Sequence, residues 1–579
     1  MSSSIRVDKD VPMKMRDSAV LRADIYRPDD GERHPAILMR TPYNKALAGS
    51  GDYLSAMHAA SAGYAMVIQD TRGRFASEGE FTPGMPEGPD GYDTVEWVAT
   101  EPWCDGNVGM AGGSYLGRVQ WEAAVEAPPH LKAIAPAIIA AGPLSETRLS
   151  GPVELEQAIS WYAAMTIDMI ERMRRQGKDV ARMREMVTQA MFNIGEVCNY
   201  LPLKAIPHFQ FEGLAEGFTA RIGEASLSAL KSEDDLYWAY HRVKVPCFHV
   251  SGWYDLFGAS LFTNFLNMRE KGGSELARKG QHVLCGPWAH GAALAYVGGL
   301  HFGPTGSAAA ALAMERHITF FNKYLRGMEP ADPRHLPAVR YFVMGRNRWQ
   351  SADTWPLPQT EWQRFFLHSK GRANTAAGDG LLSREESSSE PPDRFIYDPM
   401  LPVPTRGGKN LPSGTLVPGP LDQTVIEKRS DVLCYTTPEL AEELEVVGPL
   451  TLHLYAATSA KDTDFTAKLV DVYPDGSAYN VAEGCIRARY RQSILKPELI
   501  APGEVYEYAI NMGATGIVFR RGHRVRLDVS SSNFPRIDRN MNTGNPFGED
   551  AYGVPAIQTI YHQADYPSYI DLPVMPRPR

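Results

Sequence analysis

Short apolar runs bounded by turn residues open the chain, and their spacing predicts strands more often than helices. Val20 to Tyr26 is expected to pair with Ile5 to Met15 across the turn Arg16-Asp17-Ser18. Ala36 to Met39 and Ala65 to Gln69 are uninterrupted apolar runs, the pattern of strands buried on both faces, and Ser55 to Ala62 between them reads as a helix, giving a β-α-β unit. From about Pro152 to Trp238 the texture turns helical, rich in Met, Ala, Arg and Glu, with Val153 to Arg175 and Val180 to Cys198 as the clearest helices. Strand texture returns at Cys247 to Ser251 and Val283 to Cys285, so the helical block is an insertion into an α/β domain. Beyond Trp355 the helical signal fades. Trp362 to Leu367, Leu450 to Tyr455, Phe465 to Val472 and Val525 to Val529, separated by turns such as Pro474-Asp475-Gly476, predict an antiparallel sandwich of the jelly-roll kind. The polar stretch Gly371 to Arg394, with Ser387-Ser388-Ser389, reads as a long surface loop.

Composition narrows the class. With 579 residues, 44% hydrophobic and 22% charged, the chain has room for several domains with substantial cores and is no disordered or rod-like protein. The net charge of −9 makes it a poor partner for nucleic acid or an anionic membrane. No apolar run at the start resembles a signal peptide, and the most apolar stretch, Ala133 to Ala141, is interrupted by Pro136, so a cytoplasmic location is expected. Cys104, Cys198, Cys247, Cys285, Cys434 and Cys485 lie far apart without a C-x-x-C pair, which predicts buried free thiols and no metal site.

The chemistry concentrates at Gly112-Gly113-Ser114-Tyr115-Leu116-Gly117. Asn107 to Ala111 reads as a strand and Tyr115 to Glu126 as a helix, so Ser114 falls on a strand-to-helix turn where only small neighbours fit. This is the logic of a nucleophile elbow, although the second glycine follows three residues after Ser114 instead of two. A serine nucleophile needs a base, and the base an orienting acid. Asp255, just past the Cys247 strand, and His290, on the loop after the Val283 strand, come in the chain order an α/β-hydrolase requires. His249 and His282 lie in or beside strands and read as structural. For the oxyanion, one donor is expected to be the backbone N–H of Tyr115. The loop after Ala36 to Met39, Arg40-Thr41-Pro42-Tyr43-Asn44-Lys45, has no glycine-rich run of amides, so the Tyr43 hydroxyl is the second candidate.

Arg40-Thr41-Pro42-Tyr43, Gln69-Asp70-Thr71-Arg72-Gly73, Trp103-Cys104-Asp105-Gly106, the Ser114 turn, Gly252-Trp253-Tyr254-Asp255 and Gly286-Pro287-Trp288-Ala289-His290 together resemble the bacterial cocaine-esterase-like serine hydrolases. Asp462-Thr463-Asp464-Phe465 and Ile570-Asp571-Leu572-Pro573 look like the non-catalytic domain shared with X-prolyl dipeptidyl-peptidases. The resemblance implies Ser114 as nucleophile, His290 as base, Asp255 as its orienter, and Tyr43 hydroxyl with Tyr115 N–H as oxyanion hole. It also implies three domains: an α/β-hydrolase core from residues 1–145 and 241–355, a helical cap from 146–240, and a jelly-roll sandwich from 356–579.

The reading is of a serine hydrolase that cleaves a small-molecule carboxylic ester through an acyl-enzyme, with no metal and no organic cofactor; a homodimer is left open. The related α-amino acid ester hydrolases hold a substrate ammonium with clustered carboxylates, including acids just after the catalytic Asp. Here Leu256-Phe257 follow Asp255, which favours an apolar or aromatic acyl group. Trp161, Tyr162, Phe257 and Trp288 are expected to line its pocket, with packing of the helical block as the competing role for Trp161 and Tyr162. Asp70 and Arg72 read as a buried ion pair. The alternatives are an amidase or acylase, an X-Pro dipeptidyl-peptidase-like peptidase, and a catalytically silent binding protein.

Overall fold

A computed structural model describes residues 4–576, apart from 50, 52, 83, 223–226, 228, 229, 387, 414 and 415. The start of the N-terminal stretch (Met1, Ser2, Ser3) and Ser387 of the serine run therefore lie outside the described residues.

The strands of the first half are β1 (Ile5–Lys14), β2 (Val20–Pro28), β3 (His34–Thr41), β4 (Ala65–Asp70), β5 (Cys104–Gly113), β6 (Leu131–Ala137), β7 (Cys247–Tyr254) and β8 (Gln281–Ala289). A two-stranded ribbon, β9 (Tyr296–Val297) and β10 (Leu300–His301), precedes β11 (Val339–Val343) and β12 (Arg348–Ala352). All but the ribbon form a ten-stranded sheet in the order β1-β2-β4-β3-β5-β6-β7-β8-β11-β12. From β4 to β11 every neighbouring pair is parallel, while β1, β2 and β12 are antiparallel additions at the edges. Strands β4, β7 and β8 are buried along their whole length, because helices such as Gly88–Thr100, Tyr115–Glu126 and Ala313–Arg326 cover the faces. In such a sheet the carboxyl ends of the strands carry the site. Ser114, Asp255 and His290 each follow directly on the last residue of β5, β7 and β8.

Between β6 and β7 the chain adds no strand among the described residues. Helix Leu155–Arg175 is its longest element, and its buried face gathers Leu155, Ile159, Tyr162, Ala163 and Ile170. The expected helix from Val153 begins two residues later, at Leu155, with the Val153 N–H taken up outside the helix by Asp538 Oδ1 at 2.6 Å. The expected helix Val180 to Cys198 is two, Ala181–Phe192 and Ile194–Cys198, broken where Asn193 leaves helical backbone at φ −117°, ψ 38°.

The second half is an eleven-stranded, mostly antiparallel sheet, including Glu361–His368, Leu444–Thr458, Asp464–Val472, Ala478–Arg487, Tyr506–Phe519 and Arg524–Ser530. Gly371 to Arg394 is not one loop. Leu381–Ser383 forms a strand against Glu361–His368, driven by the complete burial of Leu382, and Asp393 begins another. One continuous hydrophobic core runs from Trp253, Tyr254 and Phe342 of the first sheet to Leu452, Leu527 and Leu572 of the second. The two halves therefore share an interior. All six cysteines are free and buried, and among the described residues no helix is long and apolar enough to cross a membrane.

Candidate active site

Ser114 sits at φ 58°, ψ −124° at the head of helix Tyr115–Glu126, a conformation that costs a non-glycine residue on the order of 1–3 kcal/mol. Two glycines make room for it. Gly112 has φ +126°, and a Cβ there would stand 2.6 Å from the Leu116 side chain. A Cβ at Gly117 would stand 3.0 Å from the Ala137 carbonyl, so the glycine three residues after Ser114 lets the helix approach the end of β6. The turn is locked by hydrogen bonds: Ser114 N–H donates to Ala137 at 2.9 Å, and the Ser114 carbonyl accepts from Gly117 at 2.7 Å and Arg118 at 3.1 Å.

His290 bridges Ser114 and Asp255. Its Nε2 lies 3.1 Å from Ser114 Oγ and its Nδ1 2.9 Å from Asp255 Oδ2. The other Asp255 oxygen accepts the Phe257 backbone N–H at 2.8 Å, and the carboxyl is fully buried. With Asp255 accepting, Nδ1 carries the imidazole proton and Nε2 presents its lone pair to the serine hydroxyl. Phe257 meets the His290 ring edge-on, with centroids 5.6 Å apart.

Tyr43 reaches the same place from the loop after β3. Its phenol oxygen accepts from the Trp161 indole Nε1–H at 3.0 Å. Burial pushes this phenol above its ordinary range, opposed by the Trp161 hydrogen bond, by the neighbouring Ser114 hydroxyl and by the charges of Arg221 and Arg74. Tyr115 contributes twice. Its backbone N–H is the first of the helix, where no intrahelical acceptor exists. Its ring stacks on Trp161 at 6.2 Å and 17°, and its hydroxyl donates to Glu87 Oε1 at 2.8 Å.

Several supporting residues gave no signal in the sequence. Glu87 is completely buried and paired with Arg40, Nη2 to Oε2 at 3.0 Å; burial raises its carboxyl above the ordinary range, with the Arg40 charge opposing. Arg40 also donates to Gln69 Oε1 at 2.7 Å and the Glu87 carbonyl at 3.0 Å, so it ties β3 to the Tyr115 side chain through Glu87. Arg74 donates to the Pro42 carbonyl at 2.9 Å and the Met165 carbonyl at 2.8 Å, pinning the Tyr43 loop to helix Leu155–Arg175. Arg221 lays its guanidinium 5.3 Å from the Trp161 ring centroid. An isolated Glu or Arg has many uses, and only the fold distinguishes these.

Three expectations are corrected. Tyr162 does not line a pocket: it is fully buried, packs on Phe209 and Phe218, and donates its hydroxyl to the Leu214 carbonyl. Trp288 is also fully buried, wedged beside Tyr53 and Trp349, with its indole N–H on the Gly306 carbonyl at 2.6 Å. Asp70 and Arg72 do not pair with each other. Asp70 accepts the Lys45 N–H at 2.7 Å, while Arg72 binds Asp90 at 2.6 Å and Asp17 at 2.9 Å. His249 and His282 are structural, their imidazoles pushed down to about 4 by burial. Trp161 and Phe257, both half-buried, are the aromatic residues of the expected set that meet the Ser114 constellation. Among the described residues no group of three or more His, Cys, Asp or Glu could hold a metal ion.

Residues 17–292 match the model of the X-Pro dipeptidyl-peptidase (S15 family), and residues 334–571 that of the X-Pro dipeptidyl-peptidase C-terminal non-catalytic domain. A cocaine esterase from Rhodococcus sp. (strain MB1 Bresler) is 37% identical, over 99% of both chains. A putative serine esterase of Mycobacterium tuberculosis is 22% identical over 97% of this chain and 94% of its own. Among solved structures, an aminopeptidase from a marine sediment Thaumarchaeota archaeon superimposes with TM-score 0.78 at 24% identity, covering 100% of this chain and 97% of that one. An α-amino acid ester hydrolase does so with TM-score 0.75 at 21% identity, covering 99% and 97%. These two share the fold. Matched from end to end by a relative at this identity, the chain belongs to the cocaine-esterase-like family of serine hydrolases, enzymes with an X-Pro dipeptidyl-peptidase-type C-terminal domain.

Proposed function

We propose that the chain hydrolyses carboxylic esters of apolar or aromatic acids through an acyl-enzyme on Ser114. The observation that carries the reading is the relay from Ser114 Oγ through His290 to the buried Asp255, with spacings of 3.1 and 2.9 Å, behind a strained strand-to-helix turn. In acylation His290 Nε2 takes the Ser114 proton as Oγ adds to the ester carbonyl. The oxyanion receives hydrogen bonds from the Tyr43 hydroxyl and the Tyr115 N–H. Collapse breaks the C–O bond to the leaving alkoxide, which takes the proton from His290; a water activated by the same imidazole then hydrolyses the acyl-enzyme. Asp255 stays ionised throughout and stabilises the imidazolium.

In the same reading residues 1–145 and 241–355 form the α/β-hydrolase domain, 146–240 a helical cap, and 356–579 a jelly-roll sandwich. The cap brings Trp161 over the site, and Phe257 flanks the base, so both face the acyl group. A labelling experiment with a fluorophosphonate probe tests the nucleophile, and a panel of acyl esters and amides tests the class. Preferential turnover of aromatic esters is the expected result. Because the catalytic region matches a peptidase family model, Xaa-Pro anilides belong in the panel; rapid turnover of them would replace esterase by peptidase.

Tyr43→Phe removes one oxygen and keeps the ring. It should lower kcat by ~10²–10³ with KM and melting temperature little changed, the usual loss for one oxyanion donor. Steady-state kinetics on one ester suffices: a fall of less than about threefold would remove Tyr43 from the oxyanion hole.

A further inference from the structure

Two sets of hydrogen bonds meet at Ser114, each with a fixed end. At one end the Trp161 indole Nε1–H can only donate, and it lies 3.0 Å from the Tyr43 oxygen. At the other end the Asp255 carboxylate can only accept, 2.9 Å from His290 Nδ1. Between them stand the Tyr43 hydroxyl, the Ser114 hydroxyl and the imidazole, each able to give one proton and accept another. With a donor at the Trp161 end, the Tyr43 proton cannot point at the indole; with an acceptor at the Asp255 end, the Nδ1 proton goes to Asp255 and the Ser114 proton to His290 Nε2. The Tyr43 proton, kept off the indole side, is left free for the oxyanion that forms beside Ser114.

Resting on the esterase reading, we propose that Trp161 is a positioning residue for the oxyanion hole: its indole N–H occupies the Tyr43 lone pair and so directs the Tyr43 hydroxyl proton toward the reacting carbonyl. Helix Leu155–Arg175 then supplies part of the catalytic machinery as well as a roof for the substrate. The same ring steadies the second donor, since Tyr115 stacks on Trp161 at 6.2 Å and 17°. Trp161 itself is held from three sides, by the Tyr115 ring, by the Arg221 guanidinium at 5.3 Å from its centroid, and by the hydrogen bond to Tyr43. A residue serving only as an acyl-pocket wall would have no need of an N–H directed at Tyr43. A donor that is itself a hydrogen-bond acceptor is also polarised, so the Tyr43 hydroxyl gives a stronger bond to the developing charge.

Trp161→Phe keeps a flat ring for Tyr115 to stack on and deletes the N–H. Freed from its partner, the Tyr43 hydroxyl rotates among several directions, and kcat should fall about tenfold with KM changed less than about twofold, the loss expected when one ordinary hydrogen bond stops favouring the transition state. The decisive measurement is a double-mutant cycle with Tyr43→Phe. If Trp161 acts through the Tyr43 hydroxyl, the double variant has the kcat of Tyr43→Phe alone, within about twofold. Multiplying effects would overturn the proposal, as would a Trp161→Phe change seen in KM or in the ranking of acyl groups with kcat intact. A second readout does not depend on turnover: an arylboronic acid, which forms a tetrahedral adduct on the serine, should bind about tenfold more weakly to Trp161→Phe, while the product acid binds as before. Equal weakening of both would make Trp161 a pocket wall. Absence of fluorophosphonate labelling in the wild-type protein would sink the esterase reading itself. Normal labelling combined with independent Trp161 and Tyr43 effects would sink this inference alone.

Discussion

Ser114→Ala should abolish acyl-enzyme formation and leave the protein folded. The side chain points out of the strand-to-helix turn to His290, and the turn is held by backbone hydrogen bonds from Ser114 N–H and to its carbonyl, which alanine keeps. The strained φ of 58° is no worse for alanine than for serine, and the room for it comes from Gly112 and Gly117, which stay in place. Stability should therefore change by about 1 kcal/mol or less, the size of the one hydrogen bond to His290 that alanine gives up. Activity should not survive. Removing the nucleophile of a triad whose members act as a unit costs about 10⁶ in kcat in the protease case, leaving only what the oxyanion hole and binding supply. Two measurements check this: release of p-nitrophenol from a p-nitrophenyl ester, and mass spectrometry of the protein after a fluorophosphonate. A variant that still turns over at near wild-type rate, or is still labelled at the same site, would move the nucleophile elsewhere.

The Ser114, Asp255 and His290 placements were legible in the sequence because each depends on a short stretch of chain. A strand end followed at once by a small-residue turn fixes where the next side chain goes, and Ser114, Asp255 and His290 all occupy that position. Tyr43 could be named for a similar reason, as the hydroxyl on a loop with no glycine amides to offer. What surrounds Tyr43 could not be read in this way, because Trp161 comes 118 residues later on an inserted helix. The choice between Trp161 and Tyr162 did carry a signal. Leu155, Ile159, Tyr162, Thr166 and Ile170 recur at helical spacing on the buried face, whereas Trp161 falls beside that stripe and is left for the site. Trp288 was misjudged because it still belongs to β8, which is buried along its whole length, whereas His290 lies one residue past the strand end. The Arg40–Glu87–Tyr115 link had no sequence signal at all, since its members lie on three separate segments that only the sheet brings together.

Asp255→Asn should preserve the fold and lower kcat by about 10⁴, the loss seen when the acid of a serine-protease triad is replaced by its amide. The two carboxylate oxygens have different duties here. Oδ1 accepts the Phe257 N–H at 2.8 Å and shapes the turn after β7, and an amide oxygen can do the same. Oδ2 accepts from His290 Nδ1 at 2.9 Å, and there the amide places an NH₂ group, which donates. His290 is then driven to the tautomer with its proton on Nε2, facing Ser114, and can no longer take the serine proton. The imidazolium formed during attack also loses the adjacent negative charge that stabilised it. Because the tautomer switch acts on chemistry and not on binding, the loss should appear in kcat with little change in KM. The leftover activity should climb with pH as hydroxide replaces the missing base. Retention of most activity would hand the acid's role to another carboxylate. Asp105 could not take it, since it lies near the opposite end of β5, roughly 30 Å from Ser114 at about 3.3 Å per strand residue. Glu146, whose carboxyl is raised to about 8 by burial, with smaller pushes from the charges of Glu154 and Asp255, is already bonded to the Ser260 hydroxyl. A double variant with Glu146→Gln that removed the remaining activity would identify it as the substitute, and one that left the activity unchanged would confine the role to Asp255.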